Sequence, residues 1–316
     1  MFGFTGKVLT INLSTTVRSV KDIDETVARN FLGAAGLGAH ILSSMDWSRD
    51  AFHPDNRLAF IAGPLTGTPV PLCSRYSVCA KSPLTGVWGE AHASGFWGPE
   101  LKAAGLDAIL IEGKAERPVY LSISNDKVAI KDARFLWGMD VYETEEAIKK
   151  ELKDANIRVA CIGPAGEKRS LLAAIINDHG RAAARCGLGA VMGSKNLKAI
   201  AVRGTREVSV AHLDKLRTLA GELTKLARES TAGRYLKDYG TAGGMDPFHE
   251  FGDAPVKNWK QGAWEQGCHK VSRQVMKETI LKSRYACKRC PIGCGRIIEV
   301  GEGPYSGLSG KGPEYE

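Results

Sequence analysis

Cys287, Cys290 and Cys294 stand in the stretch Cys-Lys-Arg-Cys-Pro-Ile-Gly-Cys, at spacings of three and four. Sulfurs held this close along a chain share one small volume, where they oxidise or take up a metal and do not pack as inert core. Structural zinc usually pairs one CxxC with a second pair or with histidines. A CxxC followed a few residues on by a third cysteine, beside Pro and Gly, fits three corners of an iron-sulfur cube, with zinc and a redox or disulfide role as the alternatives. The fourth corner is not evident, because Cys73, Cys79, Cys161, Cys186 and Cys268 are scattered and form no second CxxC.

Three glycine-rich stretches form the other chemical signal. The first runs from Gly63 through Gly67 to Arg75, the second from Ser82-Pro83-Leu84-Thr85-Gly86 into His92-Ala93-Ser94-Gly95, and the third from Gly180 to Gly189. Small residues let the backbone approach a ligand and leave N–H groups free to point at phosphate oxygens. In the third stretch Arg181 and Arg185 add guanidinium forks suited to bidentate phosphate contacts. Glycine and proline also serve ordinary turns and tight packing, so one such loop alone is weak evidence; three in one domain, with a thiol cluster downstream, favour a phosphate-bearing cofactor. No G-x-G-x-x-G opens a helix with an acid about 20 residues on, and no Walker A lysine is present, which excludes the common dinucleotide and nucleotide fingerprints. His92 lies within one of these loops and not on an apolar helix face, so ligand contact and a backbone-supporting role stand as equal readings.

The elements that must position these groups change character along the chain. Apolar runs punctuated by Gly and Pro predict strands at Lys7 to Leu13, Leu58 to Ala62, Tyr76 to Ala80, Ala108 to Glu112, Val119 to Ile123, Lys127 to Ile130, Arg158 to Ile162 and Ala199 to Arg203. Helices are expected over Asp24 to Leu42 and Val141 to Leu152. Beyond residue 208 leucines recur at helical intervals (Leu213, Leu216, Leu223, Leu226), and helix-type sequence extends to Tyr285. The expected class is α+β: an N-terminal domain of two packed twisted β-sheets with a few helices (1–207), then the first part of a mostly α-helical domain carrying the cysteines (208–316).

The 43 basic and 35 acidic residues leave a formal charge of +8, spread without a run of five, so the surface reads as solvated and suited to anionic ligands or an acidic electron-transfer partner, with no nucleic-acid signal. The N-terminus shows no basic stretch leading into an apolar one, and no apolar run approaches the roughly 18 residues of a membrane span. Together with cysteines that suit a reducing compartment, this predicts a cytoplasmic protein with no membrane association.

Longer motifs point to one family. Gly63-Pro-Leu-Thr-Gly-Thr68, Lys81-Ser-Pro-Leu-Thr-Gly86, Ile162-Gly-Pro-Ala-Gly-Glu167, Gly189-Ala-Val-Met-Gly-Ser-Lys-Asn-Leu-Lys-Ala-Ile200, the cysteine stretch and Gly312-Pro-Glu-Tyr-Glu316 together closely resemble the aldehyde:ferredoxin oxidoreductase family, tungsten or molybdenum enzymes that oxidise aldehydes to acids. The resemblance implies a bis-pterin cofactor (tungstopterin or molybdopterin) on the two-sheet domain, a [4Fe-4S] cluster held by Cys287, Cys290 and Cys294, and Mg2+ bridging the pterin phosphates. By motif, Arg75 matches an arginine set between pterin and cluster. His92, Ala93, Ser94 and Gly95 match one pterin loop, and Arg181, Ala182, Ala183, Ala184 and Arg185 the second, with the backbone carbonyls of His92 and Ala182 as magnesium ligands. Glu316 matches a glutamate proposed as the acid/base group. The implied partners are ferredoxin or another electron-transfer subunit and an aldehyde substrate, and the family allows a homodimer.

The chain departs from the pattern in two places. His92-Ala93-Ser94-Gly95 replaces the Asn and Gly-Gly pair of the best-known archaeal members, and family chains run to about twice this length, so an N-terminal portion is expected, with the fourth cluster cysteine and further pterin contacts in the remainder. Two alternatives remain open: reduction of aromatic acyl thioesters of the benzoyl-CoA type on the same scaffold, and a non-catalytic cofactor or electron-transfer module.

Overall fold

The computed structural model describes residues 1–312. The chain divides into two compact units, one ending at Leu213 and one starting at Asp214. In the first, β1 (Lys7–Asn12), β2 (Arg18–Asp22), β3 (Leu58–Ala62), β4 (Tyr76–Lys81), β5 (Trp88–Ala93) and β6 (Ala108–Glu112) form one six-stranded sheet in the order β2-β1-β6-β3-β4-β5. A second takes β7 (Val119–Ser124), β8 (Lys127–Asp132), β9 (Arg158–Cys161), β10 (Ile175–Asn177), β11 (Arg181–Ala183) and β12 (Leu197–Arg203) in the order β11-β10-β9-β12-β7-β8. Each sheet holds one parallel pair, β1 with β6 and β7 with β12, among antiparallel ones.

Alternation along the strands builds the layers. Leu58, Phe60, Val78 and Ile109 of the first sheet join Leu121, Ala160, Ile175 and Ile200 of the second in one continuous core. The intervening residues face outward and are covered too: Ala59, Ile61 and Cys79 pack under α2 (Ala34–Leu42), and Tyr120, Val159 and Ala199 pack with Ile148 of α4 (Val141–Leu152). Strands buried on both faces read as unbroken apolar runs, which is why these were legible in the sequence.

The helix expected over Asp24 to Leu42 is two helices. α1 (Glu25–Phe31), capped by Asp24, ends where Leu32 turns left-handed at φ 60° and Gly33 follows at φ 157°; α2 then starts. α3 (Trp97–Ala103), α5 (Pro164–Glu167) and α6 (Leu188–Ser194) complete the unit. At α4, Asp140 accepts from the backbone of Tyr142 and Glu143 while the Glu143 carboxylate accepts from the Asp140 N–H, a reciprocal cap that sets the first turn.

The second unit opens with α7 (Leu213–Glu229) and α8 (Thr231–Tyr239), then α9 (Met245–Glu250), α10 (Glu265–Lys270) and α11 (Arg273–Thr279). The helical pattern stops at Thr279 and not at Tyr285. From there β13 (Leu281–Tyr285), β14 (Gly295–Glu299) and β15 (Ser309–Lys311) form an antiparallel three-stranded sheet. The cysteines therefore sit on the connection between two strands and not on helical scaffold. No helix among the described residues is long and apolar enough to cross a membrane.

Candidate functional site

The second and third glycine-rich stretches converge where the two sheets meet. β5 and β11 are the terminal strands of their sheets, and they lie against each other. His92 and Ala93, read from sequence as loop, close β5, pairing with Ser77 and Tyr76 of β4; Ser94 and Gly95 form the turn into α3. Arg181 to Ala183 form β11, and Ala184 and Arg185 lead from it, exposed, toward α6. Arg75 directly precedes Tyr76, so it stands at the same end of β4 as the Ser94–Gly95 turn.

Their side chains differ in freedom. The Arg75 and Arg185 side chains are exposed, and no acidic partner holds either guanidinium among the described residues. Arg181 is 6% exposed. His92 is anchored from two sides, with Nδ1 2.9 Å from Ser77 Oγ and Nε2 3.3 Å from Glu90 Oε1, while Glu90 Oε2 accepts from Trp88 Nε1 at 3.1 Å. The Cys186 carbonyl accepts from Ser82 Oγ at 2.8 Å, which ties the third stretch to the Ser82–Gly86 turn.

Beneath the convergence lies a polar group that sequence reasoning missed. Asn177 ends β10 and Asp178 follows it; Asp178 and His179 both turn left-handed (φ 49° and 60°) with Gly180 N bonded to Asn177 O, as a type I′ turn requires. Asn177 Nδ2 donates to Ser94 O at 2.8 Å, Asp178 Oδ2 accepts from Phe96 N at 2.6 Å, and Tyr76 Oη donates to Asn177 Oδ1 at 3.0 Å. Burial, with the Asp178 carboxylate nearby, pushes the Tyr76 phenol well above its ordinary range and keeps it a donor. Tyr76, Trp97 and Phe60 pack as an aromatic trio, with Tyr76 and Trp97 centroids 4.5 Å apart, and Trp97 Nε1 donates across to Ile200 O of β12 at 3.0 Å. The signal in the sequence was Asn-Asp-His-Gly, a run of turn formers between short apolar strands.

On the far side of that turn, Glu145, Glu146 and His179 bring three ligand-type atoms within 4.8 Å of one another, but Lys149 already bridges both carboxylates at 2.7 and 3.1 Å. The ammonium supplies the charge that a cation would.

In the second unit, Tyr285 pairs with Gly295 to close the β13–β14 hairpin around the thiol loop. Cys290 N bonds to Cys287 O at 3.0 Å, and Arg289 and Gly293 take left-handed backbone that turns the chain twice within the loop. All three thiols are partly exposed. Arg296, 1% exposed, donates to the Leu236 and Lys237 carbonyls at 2.9 Å each and to Gly293 O at 3.4 Å, so the end of the thiol loop is fixed to the last turn of α8. Glu316 lies outside the described residues.

The class is thereby set: an α+β protein in which a two-sheet sandwich gathers glycine-rich loops at one edge and a second unit presents three thiols. The chain belongs to the aldehyde ferredoxin oxidoreductase family. Residues 8–204 match its N-terminal domain, and residues 218–316 match its domains 2 and 3. It is 44% identical to the tungsten-containing aldehyde ferredoxin oxidoreductase of Pyrococcus abyssi and 36% identical to the aliphatic sulfonate oxidoreductase WOR-like subunit of Pyrococcus furiosus, in each case over all of this chain and 52% and 53% of the relative. The active-site complex BamBC of benzoyl coenzyme A reductase with 1,5-dienoyl-CoA superposes with a TM-score of 0.83 at 33% identity, over 96% of this chain and 48% of that one. The chain thus spans about half the length of the curated relatives it matches.

Proposed function

We propose that this chain is the N-terminal, cofactor-binding portion of a cytoplasmic oxidoreductase that oxidises aldehydes to carboxylic acids at a tungsten or molybdenum bis-pterin centre. The observation that carries the reading is the convergence of His92–Gly95 and Arg181–Arg185 on the adjacent terminal strands β5 and β11. The residues present fit a phosphorylated cofactor. Arg75 and Arg185 offer guanidiniums without acidic partners among the described residues, and terminal strands keep a row of backbone groups outside their ladders. The carbonyls of His92 and Ala182 are the candidate ligands for Mg2+, a hard cation that takes oxygen donors.

Cys287, Cys290 and Cys294 would hold three corners of a [4Fe-4S] cluster. A CxxC with a third cysteine four residues on, beside Pro and Gly, suits that cluster better than a structural zinc site, which usually takes a second pair or histidines. The bound metal would supply Lewis-acid activation of the aldehyde and two-electron redox chemistry, and the cluster one-electron transfer to a ferredoxin or another electron-transfer subunit. This chain's share is to grip the cofactor phosphates, exclude water behind the Tyr76–Trp97–Phe60 wall and hold Arg75 at the loop end. Glu316 is the candidate acid/base group for the aldehyde-derived proton, and a homodimer is compatible with the reading.

The complete protein purified anaerobically should carry tungsten or molybdenum and about four irons per chain, whereas this chain alone should bind metal poorly, and zinc as the only metal in the complete protein would sink the proposal. A second reading, reduction of an aromatic acyl-CoA thioester, is favoured by the likeness to the benzoyl coenzyme A reductase complex. Parallel assays with aldehydes and with aryl-CoA thioesters separate the two.

A further inference from the structure

The two candidate cofactor loops are not independent. Each belongs to a different sheet and is short and rich in small residues; Ala93 and Ala183 seat the two in one core, and hydrogen bonds join the turns beyond them. Asn177 and Asp178 connect them: Asn177 holds the Ser94 carbonyl, Asp178 holds the Phe96 amide, and four residues on from Asn177 the same turn delivers Arg181 to the start of β11. Tyr76 fixes the Asn177 amide by donating to its oxygen, which leaves the amide nitrogen aimed at Ser94 O. The buried Arg181 stem approaches so closely that a Cβ on Gly95 would lie 3.1 Å from its Cγ.

We propose that Asn177 and Asp178, oriented by Tyr76, are positioning residues that set the spacing between the His92–Gly95 and Arg181–Arg185 loops and so tune the gap into which phosphates and their bridging cation fit. This rests on the reading that those loops hold the cofactor. The Tyr76–Asn177 bond is buried and the other two are partly buried, which limits competition from water, and Asn177 Nδ2 also donates to Asp178 Oδ2 at 2.8 Å, which ties the two arms of the bracket together. The type I′ turn adds rigidity, because both central residues are held in a backbone region of few alternatives. A shift in either sheet is thereby transmitted to both loops together.

Hydrogen exchange on the full chain tests the bracket without loaded cofactor, and Mg2+ with inorganic phosphate serves as the probe of the gap. Tyr76→Phe removes one hydroxyl and keeps the ring; Asp178→Ala removes the acceptor for Phe96 N; Asp178→Asn restores an acceptor oxygen. Tyr120→Phe is the control, an equally buried tyrosine whose hydroxyl bonds Glu151 on the outer face of the second sheet. Tyr76→Phe and Asp178→Ala should each speed exchange in both loops about tenfold, the loss of one net hydrogen bond, and weaken Mg2+-phosphate protection at least tenfold. Asp178→Asn should recover most of both, and Tyr120→Phe should change neither. Loops that exchange at wild-type rates in Tyr76→Phe and Asp178→Ala overturn the bracket, and if Asp178→Ala fails to fold, Tyr76→Phe decides alone. Wild-type loops that gain no protection from Mg2+-phosphate count against the cofactor reading, while their exchange rates still decide whether the bracket couples them.

Discussion

Gly95 and Asp178 face each other between the two sheets with no room for a methyl group: a Cβ built on Gly95 would overlap Asp178 Oδ2 and stand 2.9 Å from Asn177 Nδ2. Gly95 also takes φ +99°, which residues with a side chain rarely adopt. The position is thus closed by backbone strain and by a rigid polar neighbour at once. Gly95→Ala should destabilise the protein by about 2–4 kcal/mol, read by urea denaturation, and should unlock Phe96 N from Asp178. An alanine variant as stable as wild type would mean that the turn relaxes freely.

The buried pair Lys102 and Asp107 makes an asymmetric prediction. Both are about 1% exposed and joined as an ion pair, but Asp107 also accepts from Gly6 N at 2.6 Å, Thr5 Oγ1 at 3.0 Å and Thr5 N at 3.2 Å, whereas among the described residues Lys102 has beyond it Gly3 O at 2.8 Å and the Phe4 ring at 5.5 Å. Removing the acid strands a buried ammonium, so Asp107→Ala should cost about 3–5 kcal/mol. Lys102→Met leaves the carboxylate three donors and should cost about 1–2 kcal/mol. Thermal unfolding of the two variants checks the order, and equal losses would refute it.

Lys195 predicts a pH dependence. Burial pushes its amine down from the usual 10.5 to about 8, although Glu112 and Asp55 pull the other way, and Nζ donates to the Pro54 and Gly113 carbonyls at 3.0 Å each. Between about pH 8 and 10.5 the unfolded chain keeps a proton that the folded chain has released, so this group's contribution to stability rises with pH across that window. Below pH 8 both states are charged and the contribution is flat. Lys195→Met lacks the titration and takes its donor from Gly113 O, while Pro54 O keeps the Gly113 N–H, so it should be less stable at every pH. Its deficit against wild type should widen from pH 8 to 10.5 in denaturant titrations, and a constant deficit would show that the amine titrates normally.

Legibility followed burial. Strands such as Leu58–Ala62 and Leu197–Arg203 are covered on both faces and announced themselves as apolar runs. β2 is exposed along its whole length and reads Arg-Ser-Val-Lys-Asp, and β5 carries Gly89, Glu90 and His92, so neither shows an apolar face. The split at Leu32 was hidden because leucine favours helix, and only the adjacent Gly33 marked it. The glycine loops and the thiols were visible as composition. Their convergence was not, because it depends on two short strands, β10 and β11, that become strands only by pairing with each other and with β9.

The thiol loop gives the most direct test of the redox reading. Cys290 closes the first turn of the loop through its bond to Cys287 O, and Arg296 holds the loop's far end to α8, so the three sulfurs are presented by a braced hairpin and not by a free coil. In the complete protein, purified anaerobically, Cys290→Ser should abolish the visible absorption of the proposed cluster and lower the iron content, since in a cubane each cysteine ligates its own iron. Cys268→Ser, which alters a thiol 5% exposed in the apolar core with Met245 and Ala254, should leave both unchanged. Arg296→Met keeps all three ligands but frees the Gly293 turn and takes the guanidinium donor from Lys237 O of α8, Leu236 O keeping the Gly240 N–H; it should lower the iron content in part and accelerate cluster loss in air. An unchanged spectrum in Cys290→Ser would overturn the ligand assignment, whereas iron retained in full by Arg296→Met would show that the hairpin alone is brace enough.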